Sequence, residues 1–164
     1  NKYNIDGIYN DATLRINADG MRSYTGTVNL YKVDGTGTTN IYGGTVNAKD
    51  TFTQKDLNLK AGTLNLGKGG TVTNLNAEGG ALNMSIADEI AGETYVNTID
   101  TLTVKELKGD ITSFGVDYDP TAAAGSNMDK ITIEIGNETG SIKLTSVNVI
   151  NAVDNFARHR INNK

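Results

Sequence analysis

The chain contains no cysteine and no tryptophan, and it has one proline among its 164 residues. Without cysteine, disulfide bonds and thiolate metal sites are excluded. No apolar run approaches the ~18 residues of a membrane-spanning helix, so we expect no membrane insertion by this segment. Acidic residues outnumber basic ones, the net charge is −4, and no basic stripe is visible. This charge pattern argues against a nucleic-acid partner.

Threonine, asparagine and glycine together supply over a third of the chain. Threonine favours strands, whereas asparagine and glycine favour tight turns, so the composition suits short strands and suits helices poorly. The length is that of one domain with room for a core.

One short phrase recurs four times between residues 26 and 84, and successive copies follow one another with a fixed 18-residue period. The copies are Gly26-Thr-Val-Asn-Leu30, Gly44-Thr-Val-Asn-Ala48, Gly62-Thr-Leu-Asn-Leu66 and Gly80-Ala-Leu-Asn-Met84. A fixed period below about 50 residues is the signature of a stacked repeat architecture. A second asparagine row, at Asn40, Asn58 and Asn76, has the same period.

Each phrase reads as a strand whose side chains alternate between a buried and an outward face. Val28 and Leu30 then enter a core, while Asn29 points outward. If each repeat is one turn of a solenoid, the equivalent apolar residues stack into two buried columns, one led by Val28 and one by Leu30. The equivalent asparagines form an outward amide ladder. We treat these four residues as candidate ligand-binding residues: Asn29, Asn47, Asn65 and Asn83.

Other repeat architectures fit less well. Helical repeats need longer periods and stronger helix formers, and the calcium-binding nonapeptide signature is missing. An aliphatic residue every six positions, as in hexapeptide solenoids, fails at Asp34 and Asn40. We therefore predict an all-β fold, a right-handed parallel β-helix with about 18–20 residues per coil.

The expected organisation is a single solenoid domain over residues 1–150. Its parts are an irregular first coil over 1–25, regular 18-residue coils over 26–84, and irregular coils over 85–150 with a protruding loop at 118–127. Residues 151–164 are expected to form a short helical tail, with Asn151 as its cap, or a linker.

The strands of the irregular regions are also predicted from local patterns. Leu14-Arg15-Ile16 reads as a strand. Leu102-Thr103-Val104 reads as the equivalent of the Leu82 phrase after one slightly longer coil, with an inserted loop or single helical turn at 87–93. Three further strands are predicted near the end, at Ile131/Ile133/Ile135, Ile142/Leu144 and Val147/Val149.

Few residues offer chemistry. Asp117, Asp119 and Asp129 flank the 118–127 loop at a spacing that could bind calcium, but the EF-hand pattern is absent, and a solvated loop margin is the favoured interpretation. Tyr118 is a candidate for ligand contact. His159 is the single histidine, and no GxSxG motif accompanies it. We expect no catalytic residue, no cofactor and no enzyme activity.

The Gly-Thr-Val-Asn-Leu phrases resemble the passenger regions of autotransporters and related large bacterial adhesins. Gly115-Val-Asp-Tyr-Asp119, followed by Asn127-Met-Asp-Lys-Ile-Thr-Ile133, is similar to a segment common toward the C-terminal part of such passengers. The resemblance covers residues 26–149. It implies a right-handed β-helix, secretion, extracellular display on a bacterium, and roles in adhesion, self-association or surface-layer building.

The leading functional hypothesis is therefore a segment of a secreted or surface-displayed protein that acts as an adhesin or rigid stalk. Its expected partners are glycans or proteins of host or sister cells, or other copies of itself. The alternative is a carbohydrate-active or receptor-binding solenoid, such as a polysaccharide-processing enzyme or a phage-type tail piece. Because the sequence starts at Asn1 without methionine or signal peptide, we expect it to be a processed product or a piece of something longer.

Overall fold

The computed structural model describes residues 2–17, 26–87, 89–90 and 92–152, with only the backbone for 89–90. Within these ranges every helix or strand element is a strand, so the fold is all-β. The strands of the first half are β1 (Lys2–Ile5), β2 (Ile8–Tyr9), β3 (Thr13–Ile16), β4 (Thr27–Leu30), β5 (Val33–Asp34), β6 (Thr38–Ile41), β7 (Thr45–Ala48) and β8 (Phe52–Leu59). Those of the second half are β9 (Thr63–Leu66), β10 (Gly70–Glu78), β11 (Ala81–Asn83), β12 (Glu89–Ile90), β13 (Glu93–Thr94), β14 (Thr101–Tyr118), β15 (Lys130–Ile133) and β16 (Ile142–Val149).

The four repeated phrases form one ladder of parallel strands. β4, β7, β9 and β11 lie side by side with Asn29 opposite Asn47, Asn47 opposite Asn65, and Asn65 opposite Asn83. The chain therefore returns to the same position with the 18-residue period that the sequence predicts. β1 extends the ladder at one end, with Asn4 opposite Asn29.

A second parallel ladder contains β3, β6, β8 and β10, and it aligns the other asparagine row. The long strand β14 belongs to both ladders, because its first part pairs with β10 and its second part with β11. The combined strand order is β1-β4-β7-β9-β11-β14-β10-β8-β5-β2, with β15 and β16 also paired to β14. This curled parallel sheet is consistent with the predicted solenoid.

The core lies on the inner side of this curled sheet. The column led by Val28 and the column led by Leu30 are both buried, which confirms the predicted alternation. The members of the first column are Val28, Val46, Leu64, Leu82 and Phe114, and those of the second are Leu30, Ala48, Leu66, Met84 and Val116. Burial of these aliphatic side chains is the main stabilising contribution.

The predicted coil length is wrong outside the regular repeats. The offset between the paired residues Asn4 and Asn29 is 25 residues. On the far side of the repeats the offset is 32 residues, as in the hydrogen bond from Thr112 to the Gly80 carbonyl. Leu102, predicted as the equivalent of Leu82, instead pairs with Gly70 in the other ladder. The prediction failed because an apolar-polar-apolar triplet marks any half-buried strand and does not say which ladder the strand joins.

Three local predictions also need correction or sharpening. The inserted segment contains an antiparallel hairpin of β12 and β13 rather than a helical turn. Ile135 lies outside β15 and is 97% exposed, because the chain turns there and the Asn137 amide bonds the Glu134 carbonyl. The last two predicted strands are one strand, β16, with irregular register. The strand at Leu14-Arg15-Ile16 is confirmed as β3.

The predicted helical tail falls mostly on residues 153–164, which lie outside the described residues. Asn151, its predicted cap, has a left-handed φ of 53° and donates its side-chain amide to Asp119 Oδ2 at 3.0 Å.

Candidate functional site

The asparagine ladder is continuous from Asn4 to Asn83. Each side-chain Nδ2 donates to the Oδ1 of the preceding rung, at 2.7 to 2.9 Å, so that all five amides point the same way. Asn29 is buried, and the three rungs after it are partly buried. The structure therefore brings the four predicted residues together and adds Asn4. In the interior of the ladder the amides are engaged with one another, and whether they also bind a ligand stays a prediction.

The ladder ends at Asn83. The next position in the register is Gly115, which has no side chain, and the one after it is Ser146. Among the residues that the structure describes, Asn83 Oδ1 accepts no hydrogen bond, although its Nδ2 is bound to Asn65. A polar notch is therefore left over Gly115, between Asn83 and Ser146.

This notch opens into a surface cavity of about 540 Å³. The volume lies within the roughly 300–1,000 Å³ typical of small-molecule sites. The cavity combines amide and hydroxyl groups with aliphatic ones, and its lining is Asn83, Ser85, Ile86, Ala87, Ser146, Val147 and Asn148. Among the side chains that the structure describes, none of those lining the cavity is charged, so this lining suits a neutral, hydroxylated or amide-bearing ligand better than an ion.

The part of the cavity wall formed by Ile86 is held in place by Asn97. Its Oδ1 accepts from the Ile86 amide at 2.8 Å, and its Nδ2 donates to the Ile86 carbonyl at 2.7 Å. Ile86 is 3% exposed. The wall is therefore fixed by a two-bond side-chain clamp, although this segment lies outside the regular ladder.

The segment over 118–127 begins at the last residue of β14 and precedes β15, and half of its residues are exposed. Asp119 organises it, because its Oδ1 accepts from both the amide and the hydroxyl of Thr121. These bonds, together with that from Asn151, hold the pKa of the Asp119 carboxyl below its usual range. Tyr118 stands at the base of the loop, in an isolated bridge with Met128.

Asp117 and Asp129 meet beneath this loop, whereas Asp119 lies apart from them. Asp117 is fully buried and Asp129 is 3% exposed. Asp129 accepts from the Asp100 amide through Oδ1 and from the Asp117 amide through Oδ2, both at 2.7 Å. Asp117 Oδ1 accepts from Asn148, whereas its Oδ2 has no partner among the described residues.

This acid pair is better explained by a shared proton than by a metal. Burial, the nearby charge of Asp117 and a hydrogen bond with its carboxyl outweigh the two amide bonds and raise the pKa of Asp129 to about 8. A protonated Asp129 can donate to Asp117 and so satisfy the unpartnered oxygen. Within the described ranges, no group of three or more acidic or histidine side chains is arranged to hold a metal ion.

Two groups near the pair, Asp100 and Tyr95, also have raised pKa values, which favour their neutral forms. Burial raises the pKa of Asp100, and burial together with Asp100 and Asp117 raises the pKa of the Tyr95 hydroxyl. That hydroxyl donates to the Lys49 carbonyl at 3.2 Å. The cluster thus ties β14 and the base of the loop to the regular repeats.

Sequence reasoning missed the two residues that define these features. Gly115 occupies an asparagine position of the ladder, which becomes visible only when the longer offset after β11 is known. Asp100 has no repeat or motif to distinguish it. His159, the single histidine, lies outside the described residues.

No protein-family model, no curated protein and no solved structure matches this chain. Among residues 2–17, 26–87, 89–90 and 92–152 there is no helix with the length and apolar character needed to cross a membrane.

Proposed function

We propose that this chain is a segment of a secreted or surface-displayed bacterial protein, a right-handed parallel β-helix that serves as a rigid stalk with an adhesive surface. The observation that carries the proposal is the amide ladder of five rungs over the two buried columns. Every rung is fixed to the next by backbone pairing on a strand and by a side-chain hydrogen bond. Such a stack resists bending because adjacent strands can separate only if both sets of bonds break together.

The adhesive surface would come from groups outside the ladder. The 118–127 loop projects from the stack and is ordered by its own hydrogen bonds at Asp119. An ordered loop loses less conformational entropy on binding than a disordered one. Loops on rigid scaffolds are common positions for binding residues.

The adhesive part of the proposal is tested with beads coated with the purified chain and exposed to epithelial cells or sister bacteria under flow. The comparison variant replaces residues 120–126 by a Gly-Asn turn, which leaves the Asp119–Asn127 backbone bond available. We expect the parent beads to be retained above albumin-coated beads, and the variant beads to lose most of that retention with an unchanged circular dichroism spectrum. Parent beads that are retained no better than albumin beads would remove the adhesive role.

The stalk part is tested separately, by pulling single molecules between their two ends. We expect high-force, stepwise extension as strands detach in turn, because a stack contacts only its neighbours. Extension in one low-force step would contradict the stalk.

A second candidate, a solenoid that binds polysaccharide, is favoured by a threonine-lined trough on the other ladder. Two adjoining cavities of about 330 Å³ each share Thr71 and Thr73 as lining residues. The row that crosses them is Thr53, Thr71, Thr103 and Thr132. Among the described residues, Glu134 is the one carboxylate that lines the trough. Glycoside hydrolysis normally needs two carboxylates, so this trough suits binding rather than cleavage.

A further inference from the structure

We propose that the notch over Gly115 binds an N-acetylated sugar whose acetamido group takes the place of the missing rung of the asparagine ladder. This inference rests on the proposed adhesive role and names the class of ligand for that role. It assigns this sugar contact to Asn83, Gly115 and Ser146, in addition to the contacts of the 118–127 loop.

The hydrogen bonds of the asparagine ladder have one direction. Four successive amide hydrogen bonds run the same way, each from the Nδ2 of one rung to the Oδ1 of the rung before it. The Oδ1 of Asn83 is therefore the acceptor left at the end of the ladder, without a donor among the described residues. Aligned hydrogen bonds polarise one another, so the terminal oxygen is a stronger acceptor than that of an isolated amide. The group that continues the ladder must therefore be a donor, and a secondary amide N–H reproduces the chemistry of every other rung.

Glycine at position 115 is explained by its neighbours and not by its backbone conformation. Gly115 does not have a left-handed φ, so the backbone does not require glycine at this position. A Cβ built there would lie 2.6 Å from both Asn83 Oδ1 and Ser146 Oγ. These two polar atoms therefore converge on this position and leave no room for a Cβ, so glycine allows both of them to stay where they line the cavity.

The walls of the cavity combine aliphatic and polar side chains. An acetamido group has a donor, an acceptor and a methyl group. The aliphatic side chains of Ile86 and Val147 line the same cavity as Ser85 and Ser146. The methyl group can pack against the former while the hydroxyls of the latter bond the carbonyl and the ring hydroxyls. Because none of the described lining side chains is charged, we expect a neutral sugar to be preferred over a uronic acid or a sulfated sugar.

The test compares two disaccharides that differ mainly in the acetamido groups: N,N′-diacetylchitobiose and cellobiose. Binding to the full chain is followed by NMR chemical shifts of the Asn83 side-chain amide and the Gly115 backbone amide. We expect saturable shifts with diacetylchitobiose and at least ~10-fold weaker binding of cellobiose, because cellobiose lacks the amide donor.

Two variants locate the site. Gly115→Ala should weaken binding of diacetylchitobiose at least ~10-fold by filling the notch. Asn83 and Ser146 must shift to admit the methyl group of Gly115→Ala, which could disturb the fold. Ser146→Leu is therefore a second variant that obstructs the notch, at an exposed position where the fold is not at risk. The matched control is Gly7→Ala, where a Cβ would have its nearest contact at an ordinary 3.6 Å.

Each result decides the inference. Equal binding of the two sugars, no binding of diacetylchitobiose, or unchanged binding in the folded Gly115→Ala and Ser146→Leu variants would overturn it. If parent beads adhere to cells and diacetylchitobiose does not compete, the adhesive role stands and the notch is not its site. If diacetylchitobiose binds but beads do not adhere, the notch stands and the adhesive role falls.

Discussion

At the scale of single residues, the most unusual feature is the buried pair of Asp117 and Asp129. Burial of two acidic side chains in contact is unfavourable unless one of them is neutral. The unpartnered Asp117 Oδ2 and the raised pKa of Asp129 both indicate that a proton is retained between them. The protonation state of the pair, and with it the stability of the structure at the base of the 118–127 loop, therefore depends on solution pH.

The pKa shift predicts that stability falls as pH rises. The pKa of Asp129 is near 3.8 when the chain is unfolded and near 8 when it is folded, so folding takes up a proton between these values. The stabilisation is complete below about pH 4 and is lost progressively as pH rises to about 8. Above that pH, the contribution of Asp129 to the free energy of unfolding no longer changes. Burial shifts the pKa of Asp100 in the same direction.

Asp117→Asn should flatten this dependence. The new amide can donate to Asp129 in place of the shared proton and removes the neighbouring charge, so the pKa of Asp129 should fall. Urea unfolding at about pH 5 and about pH 9 measures the slope. Asp119→Asn is the matched control, because its lowered pKa affects stability only at acidic pH. An equal slope in the parent and in Asp117→Asn would show that the pair does not share a proton.

At this same scale the sequence was most informative for residues inside the repeat. Val28, Leu30 and Asn29 take the predicted faces because strand alternation leaves each position only two choices. Asp117 and Asp129 were recognised as neighbours of the loop but not as a buried pair. Their contact depends on the return of the chain to the end of β14, where Met128 bridges Tyr118 and the Asp129 amide bonds the Asp117 carbonyl. No local pattern specifies this return.

At the scale of elements, β14 differs from the other strands because it serves two ladders. It passes from the second ladder, where it pairs with β10, to the first, where it pairs with β11, near Gly109, which has a φ of 79°. A left-handed conformation favours glycine because it has no Cβ to clash with the backbone. The bend therefore depends on one residue in the middle of the longest strand.

Substitution of this glycine should be much more harmful than substitution of an open one. At Gly109 a Cβ would lie 1.9 Å from the Ala77 carbonyl oxygen, in addition to the strained φ. We expect Gly109→Ala to lower the free energy of unfolding by about 3 kcal/mol or more. Gly79→Ala is the matched control, because its φ is 88° but nothing lies within 4 Å, so it should cost about 1 kcal/mol. Chemical denaturation separates the two, and equal losses would mean that the close approach to Ala77 relaxes freely.

The elements also show where prediction from the sequence stops. β4, β7, β9 and β11 follow from the repeat period alone. β14 and β16 do not, because inserted segments separate them along the chain from the strands with which they pair. Local sequence patterns do not give the lengths of these segments. The hairpin of β12 and β13 lies within such an insertion.

At the scale of the whole molecule, β1 and β16, at the two ends of the described stack, carry apolar side chains in line with the core columns that are only partly covered by the described residues. Tyr3 and Ile5 continue the columns of Val28 and Leu30, and each is 45% exposed. At the other end Leu144 follows Phe114 and is 52% exposed. Such surfaces favour association with another stack, and head-to-tail contact of unlike ends leads to open assemblies.

The full chain should therefore self-associate as its concentration rises. Leu144→Lys with Val149→Lys should lower the association constant at least ~10-fold, because the charges would have to be buried against the next molecule. Sedimentation velocity over a concentration series measures this. Thr71→Lys with Thr103→Lys is the matched control, since it adds the same charge to the side of the stack. A parent that stays monomeric throughout, or a control that dissociates equally, would exclude end-to-end contact.

The unequal spacing of the strands also bears on how the chain finds its alignment during folding. A strand displaced by one full repeat would still place valine or leucine on valine and asparagine on asparagine, so the regular phrases alone do not prevent such an error. The longer offsets before β4 and after β11 break this equivalence. A displaced strand would meet a connection of the wrong length at either side. The irregular segments thus act as stops that define the first and last repeat, and shortening them to the length of a regular repeat should produce misaligned chains rather than a simpler fold.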